Sequence, residues 1–292
     1  MPDRLADAGL GAQLTRVLPA GLRMTDPAPR EQVEAAASYQ DKLVPALMEE
    51  WAPRVAEAAR IHPGDRVLDV ACGTGVLARA AARRAAPGGS VTGLDLANGM
   101  LAIAARLSPD ITWRQGSAND LPFPDRTFDA VVSQFGLMFF PDPAGALREM
   151  MRVLVPGGRL AVAVWGSLAD TPAYAAEVAL AERHAGSGVA DVLREPFVMG
   201  EGSRLADLFH AAGISGATVG LRPGRGRFPS IRSMVEVDVR DWLPLVGIVL
   251  DDGVIEEILA EAETALKRFV VQEGAGVTFA SPAVVATASK PT

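Results

Sequence analysis

The sequence predicts a doubly wound α/β fold built on a seven-stranded, mostly parallel sheet with a helical cap. Three observations predict it. Short apolar strands alternate with helical segments from Val67 to Trp165, each of those strands is apolar along its whole length, and turns bearing glycine or proline separate the pieces. A strand apolar on both faces needs helices on both sides of its sheet, and strict alternation of strand and helix makes neighbouring strands parallel.

The elements follow in order. From 31 to 60 the apolar positions Val33, Ala36, Ala37, Leu43, Leu47 and Val55 keep helical spacing, with Pro45 and Pro53 expected to break the run. Residues 66–71 form a first strand, followed by the turn Cys72-Gly-Thr-Gly75 and an alanine-rich helix to about Ala86. Pro87-Gly88-Gly89 is a turn. Residues 90–95 form the second strand, 97–107 a helix closed by Pro109, and Ile111 opens the third strand. The fourth strand is 128–133, the next helix 144–154, and Pro156-Gly157-Gly158 turns into a fifth strand at 159–165. Beyond it the pattern gives helices at 171–185, 203–212, 230–243 and 254–271, a loop region at 186–202, and a sixth strand at 217–221. In the last helix Ile255, Ile258, Leu259, Ala262, Leu266 and Phe269 share one face. Val277-Thr-Phe279 and Val284-Val285-Ala286 are assigned to the last strand. Residues 1–30, punctuated by Gly9, Gly11, Pro19, Gly21, Pro27 and Pro29, are expected to be a flexible arm. Residues 31–292 then make one domain, with a ligand-binding core at 65–165 and an inserted cap or lid at about 222–274.

Composition narrows the partners. The chain has 292 residues, of which 49% are apolar and 22% charged, enough for a substantial core without metal or disulfides. A formal charge of −7 argues against a general grip on the nucleic-acid backbone, so no nucleic-acid partner is expected. Cys72 is the single cysteine, which excludes an internal disulfide and a cysteine-rich metal site, and no metal is expected. No apolar run approaches the roughly 18–20 residues that span a bilayer. The first residues, Met1-Pro-Asp-Arg-Leu, lack the layout of a secretion signal, so a cytoplasmic setting is expected.

The stretch Val67-Leu-Asp-Val-Ala-Cys-Gly-Thr-Gly75 carries the chemistry. A buried strand runs into a glycine-bearing turn whose backbone can approach a ligand closely, and the helix that follows offers free N–H groups. Gly73-x-Gly75-x-x-Ala78 with Asp95 about 20 residues on also fits a dinucleotide fingerprint. Asp69 bears on the choice. A carboxylate inside a strand, just before the turn, costs free energy unless a polar or cationic partner meets it. A ligand bearing an ammonium group meets that need and a pyrophosphate does not.

Five segments then occur in order: 67–75, Gly93-Leu-Asp-Leu96 with Met100-Leu101, Gly116-Ser-Ala-Asn-Asp-Leu-Pro-Phe-Pro-Asp125, Phe128-Asp-Ala-Val-Val-Ser133 and Arg152-Val-Leu-Val-Pro-Gly-Gly-Arg-Leu160. Over residues 65–165 the chain resembles the class I, Rossmann-like methyltransferases that use S-adenosyl-L-methionine, in the branch of the ubiquinone and menaquinone C-methyltransferases. The resemblance implies roles for particular residues. The turn containing Asp69, Ala71, Cys72, Gly73, Thr74 and Gly75 would hold the methionine part of the cofactor. Asp95 would take the ribose hydroxyls, Leu96 would flank the adenine, and Ser117 and Ala118 would meet its edge, with Met100 close by. Gln134 and Phe135 would lie beside the sulfonium, and Tyr39 stands where relatives close an aromatic ring over the cofactor. Ala71 replaces a frequent glycine, and Ser117 replaces a frequent acid.

Methyl transfer to a small, hydrophobic or aromatic metabolite through O, N or C is therefore expected, with S-adenosyl-L-homocysteine as product. The alternatives are a nicotinamide-dependent oxidoreductase and a cofactor-binding subunit without catalysis, and a homodimer is compatible with either. No catalytic residue stands out. His184, Asp238 and Trp242 are candidates, while His62, His210 and the basic group Arg222, Arg225, Arg227 and Arg232 read more simply as structure or solvated surface.

Overall fold

The computed structural model describes residues 28–292, so the expected arm lies outside the described residues apart from its last three. Helix α1 (Arg30–Ser38) runs into a π-helical stretch, Tyr39–Met48, in which the Glu49 N–H reaches back five residues to the Val44 carbonyl at 2.9 Å. Pro45 sits inside that wider turn instead of ending it. Pro53 falls in the first turn of α2 (Ala52–Ala58), where a missing N–H leaves no bond unmade.

The alternating core follows: β1 (Arg66–Val70), α3 (Val76–Ala85), β2 (Ser90–Asp95), α4 (Asn98–Leu107), β3 (Thr112–Gln115), β4 (Phe128–Gln134), α5 (Pro143–Val153) and β5 (Leu154–Trp165). Asp142 caps α5 by accepting the Gly145 N–H at 2.8 Å. The fifth strand starts earlier than expected. Pro156-Gly157-Gly158 is held within it through a kink at Gly157 (φ +75°), because Gly157 and Gly158 pair with the backbone of Lys290, and the register against β4 shifts between Phe128 and Ala130.

Helices α6 (Pro172–Ala185), α7 (Ser187–Arg194) and α8 (Gly202–Ala211) lead to β6 (Thr218–Arg222). The region expected as loop thus contains α7, whose apolar side, Val189, Ala190 and Leu193, is buried despite two flanking glycines. Next come β7 (Arg225–Phe228), α9 (Ile231–Val237), a second π-helical stretch at Asp238–Trp242, α10 (Asp252–Ala265), β8 (Val271–Glu273), β9 (Gly276–Ala280) and β10 (Ala283–Ser289). The helix expected at 230–243 spans its pattern as α9, the π-helical stretch and a further turn at Leu243–Leu245, whereas the one expected at 254–271 starts at Asp252, ends at Ala265 and is followed by a short 3-10 turn at Lys267–Phe269.

Seven strands form the main sheet in the order β3-β2-β1-β4-β5-β10-β6, with β10 antiparallel to both β5 and β6 and the other pairs parallel. The doubly wound, mostly parallel expectation is met. The segment assigned to one last strand is two. Val277, Thr278 and Phe279 belong to a separate three-stranded sheet, β7-β9-β8, and only 283–289 enters the main one. Pro282, which has no N–H to give a ladder, separates them, and its carbonyl accepts the Gly166 N–H at 2.8 Å.

Apolar layers hold the fold. Leu68, Leu77, Leu94, Leu147, Leu160 and Trp51 are fully enclosed between the sheet and its helices. Each such side chain contributes about 1.5–3 kcal/mol relative to exposure. Exposed ion pairs such as Arg30–Glu34 contribute less than about 1 kcal/mol each. At the carboxyl edge of the sheet, α1 packs on α4 and is tied to the segment between β6 and β10: Asp241 accepts hydrogen bonds from the Ser38 hydroxyl at 3.0 Å and the Lys42 ammonium at 2.7 Å.

Candidate active site

The end of β1 builds the first half of the site. Asp69 is 1% exposed, and among the described residues neither carboxylate oxygen receives a hydrogen bond of good geometry, although the Ala78 N–H and the Arg79 guanidinium both favour its ionised form. Burial, and to a lesser degree the charge of Asp95, pushes its carboxyl well above the usual carboxylate range. The chain then turns through Ala71 and Gly73, both at positive φ, and Gly75 (φ +86°) caps α3. Ala71 at φ +58° occupies a conformation that glycine takes more easily. Beneath the turn lies Trp113 of β3, whose indole fills the space that a Cβ on Gly75 or Gly93 would need. The indole is itself fixed by donating to the Ser108 carbonyl at 2.9 Å.

Asp95, at the end of β2, accepts the Gly73 N–H at 2.8 Å and the Ala97 N–H at 2.9 Å. Its carboxylate therefore sets the turn as well as facing the cleft, and burial raises its pKa against those two bonds. Tyr39 stands over the turn, 3.9 Å from where a Gly73 Cβ would sit, and burial with the nearby charges of Asp95 and Asp69 raises its hydroxyl pKa. Leu96 is 41% exposed at the rim, Met100 is half-buried on α4, and Ala118 is buried beside Ser117, whose hydroxyl accepts the Asn119 N–H at 3.2 Å. The Thr74 hydroxyl is buried without a partner. Cys72 is a buried filler, and burial raises its thiol pKa, the reverse of a reactive cysteine.

The second half opens past β4. Gln134 donates to the Met48 carbonyl at 3.0 Å, leaving its own buried Oε1 without a partner. Phe135 adopts φ +57°, an uncommon backbone for an aromatic residue, and its ring stacks on Trp165 with centroids 3.5 Å apart. Tyr39 and Phe135 also border a cavity of about 110 Å³ lined by Trp165, Tyr174, Glu177, Asp238, Trp242 and further apolar side chains. The glycine turn and this cavity thus share Tyr39 as a wall.

Of the three catalytic candidates, Asp238 and Trp242 line the cavity, and His184 does not. His184 joins α6 to α10, 2.7 Å from Glu261 and 3.3 Å from Glu257. The hydrogen bond to Glu261 raises its pKa, with Glu257 adding to it. His184→Asn should leave activity unchanged and remove a stabilisation present below about pH 6.5, the unfolded imidazole value, and lost as pH climbs through the raised folded value. Urea unfolding at pH 5.5 and 8.5 checks this. Arg227 and Arg232 pair with Glu50 and Glu256, away from the cavity.

Sequence reasoning missed Glu177, Tyr174 and Trp165. For Glu177 a signal existed: an acid lies on the buried side of α6 together with Tyr174, Val178 and Ala181.

Residues 68–162 match a family model described as a methyltransferase domain. The chain is 46% identical over 113 residues to a demethylmenaquinone methyltransferase of Renibacterium salmoninarum, a match covering 39% of this chain and 46% of that protein. It is 42% identical over 125 residues to a 2-phytyl-1,4-naphtoquinone methyltransferase of Thermosynechococcus vestitus, covering 42% and 56%. The chain thus spans about half the length of these relatives. Among solved structures, a Bacillus halodurans protein described as a methyltransferase superposes with a TM-score of 0.56 at 21% identity, covering 82% of this chain and 99% of that one. The Haemonchus contortus phosphoethanolamine N-methyltransferase 2, solved with S-adenosyl-L-methionine, gives 0.58 at 17% identity, covering 94% and 62%. The methyltransferase domain therefore sits in a class I methyltransferase fold. No helix among the described residues is long and apolar enough to cross a membrane.

Proposed function

We propose that this protein transfers a methyl group from S-adenosyl-L-methionine to a small hydrophobic acceptor. The observation that carries the reading is the under-partnered Asp69 carboxylate at the carboxyl edge of the sheet, enclosed with a left-handed glycine turn and opening beside an aromatic cavity. A buried acid short of hydrogen bonds is a cost in the free protein that a ligand ammonium removes. The quinone-directed relatives and the largely apolar cavity lining both support a small hydrophobic acceptor.

Bound cofactor supplies a methyl group already activated by a positive sulfur. The protein's part is placement and exclusion of water. Asp69 and the free N–H groups of the turn hold the amino-acid end, Asp95 and the rim at Leu96 hold the nucleoside, and the stacked Phe135–Trp165 pair sets the distance between donor and acceptor sites. The segment 222–274 acts as a lid on the acceptor side, latched to α1 through Asp241. A small-molecule substrate in the cytoplasm, in preference to a nucleic acid, belongs to the same reading and agrees with the net charge of −7.

The test is a comparison of ligands on the full chain. S-adenosyl-L-homocysteine should give saturable heat in calorimetry and, at a hundredfold excess over Kd, about 2.7 kcal/mol of added stability. NAD should do neither. Stabilisation by NAD together with no heat from S-adenosyl-L-homocysteine would overturn the proposal.

A further inference from the structure

Glu177 on α6 is 1% exposed, lines the aromatic cavity, and among the described residues receives no hydrogen bond at either carboxylate oxygen. Its polar neighbour is Asp238, 9% exposed, which enters from the π-helical stretch of the lid segment. Among the described residues, no lysine, arginine or histidine lines the cavity. Instead the walls are the rings of Phe135, Phe139, Trp165, Tyr174 and Trp242. Two acids are thus set in an aromatic box without a counter-charge.

Resting on the methyl-transfer reading above, we propose that Glu177 and Asp238 form the acceptor-binding dyad and that the acceptor is a primary or secondary amine on a compact apolar body. Burial raises the carboxyl pKa of both residues; the charge of Asp238 raises that of Glu177 further, whereas Glu177 as a hydrogen-bond donor favours the ionised form of Asp238, so Asp238 is the member of the pair that ionises first. The other charged or titratable groups acting on them are Asp241, beyond Asp238, and Tyr174 on the same helix as Glu177. An ammonium satisfies this site on two counts. It offers several N–H donors to carboxylate oxygens that otherwise have none, and aromatic faces attract a cation.

The proton inventory also favours an amine. The substrate enters as R–NH3+ and gives one proton to the ionised member of the dyad, which becomes fully protonated. The freed nitrogen lone pair forms the new N–C bond as the methyl C–S bond breaks, and that electron pair returns to sulfur as a neutral thioether. The product leaves as R–NH2–CH3+ after its charge is again met by the dyad, which releases its extra proton to solvent. A phenol or quinol would instead become an anion against two carboxyls in apolar surroundings, where like charges repel strongly.

The experiment uses the full chain saturated with S-adenosyl-L-homocysteine and matched probes: 2-phenylethylamine against 2-phenylethanol, cyclohexylamine against cyclohexanol, and 4-ethylphenol. Calorimetry should show the amines binding at least about tenfold tighter than their hydroxyl partners. That preference should shrink to within about twofold in Glu177→Gln and in Asp238→Asn, with affinity for S-adenosyl-L-homocysteine unchanged. With S-adenosyl-L-methionine, N-methylated amine should appear by mass spectrometry. Equal or tighter binding of the hydroxyl probes, no binding of any amine, or an amine preference that survives both variants overturns the dyad. If a variant does not fold, the comparison on the parent protein still decides. Failure to bind S-adenosyl-L-homocysteine at all is a separate result and strikes the methyl-transfer reading instead.

Discussion

Asp69→Asn should bind S-adenosyl-L-homocysteine at least about tenfold more weakly than the parent protein and yet unfold at a higher temperature. The two effects have one cause. The carboxylate is buried and short of hydrogen bonds in the free protein, so replacing it with a neutral side chain of the same shape removes a desolvation cost. When the ligand ammonium is present, the same replacement removes a charge-assisted hydrogen bond of about 1.5–3 kcal/mol. The pH dependence has a definite sign. The folded pKa is raised, so the unfolded chain releases this proton first, and the penalty grows as pH rises above the unfolded value of about 3.9. The stability advantage of Asp69→Asn should therefore be small at pH 4 and larger at pH 7.5. Calorimetric titration and thermal melts at both pH values measure the pair of effects, and unchanged affinity would remove Asp69 from the cradle.

Gly75→Ala should destabilise the protein by about 2–5 kcal/mol. Two terms add. An L-residue at φ +86° is strained by about 1–2 kcal/mol. A Cβ there also overlaps the Trp113 indole, and overpacking of this kind costs about 1–3 kcal/mol. The second term can be isolated. Trp113→Leu alone should destabilise, but in the Gly75→Ala background its cost should fall by about 1 kcal/mol or more, because the overlap is gone. Urea denaturation of the four proteins gives the coupling, and strict additivity would show that the indole is not what excludes a side chain at position 75.

The alternating core could be read from the sequence because its central strands are mostly apolar and its turns are marked by glycine and proline. Positions 66–165 left little choice of period. The cofactor turn was equally legible, since Asp69 is an acid where the pattern calls for an apolar residue. The region after β5 was harder for physical reasons. The π-helical stretches at 39–48 and 238–242 have no sequence period of their own, and α7 begins between two glycines. The strand β7 hides in Arg225-Gly-Arg-Phe228, where exposed arginines alternate with buried Gly226 and Phe228 over only four residues. Glu177 and Asp238 lie 61 positions apart in sequence, and only the packing of the lid segment against α6 and its neighbours brings them together. The aromatic cavity is a tertiary feature, while the glycine turn after β1 is largely a local one.

The placement of β10 has a consequence for how the protein is made. Residues 283–289 follow every other strand in the chain, yet they fill the gap between β5 and β6. A nascent chain therefore displays the inner edge of β5, with Ala161 to Val164 wholly apolar, long before its permanent neighbour is synthesised. Unpaired strand edges of this kind are templates for association between chains, and pairing across such sequence separations is slow. Soluble yield should accordingly depend on slow translation or on chaperones that shield β5, more than on the stability of the finished sheet.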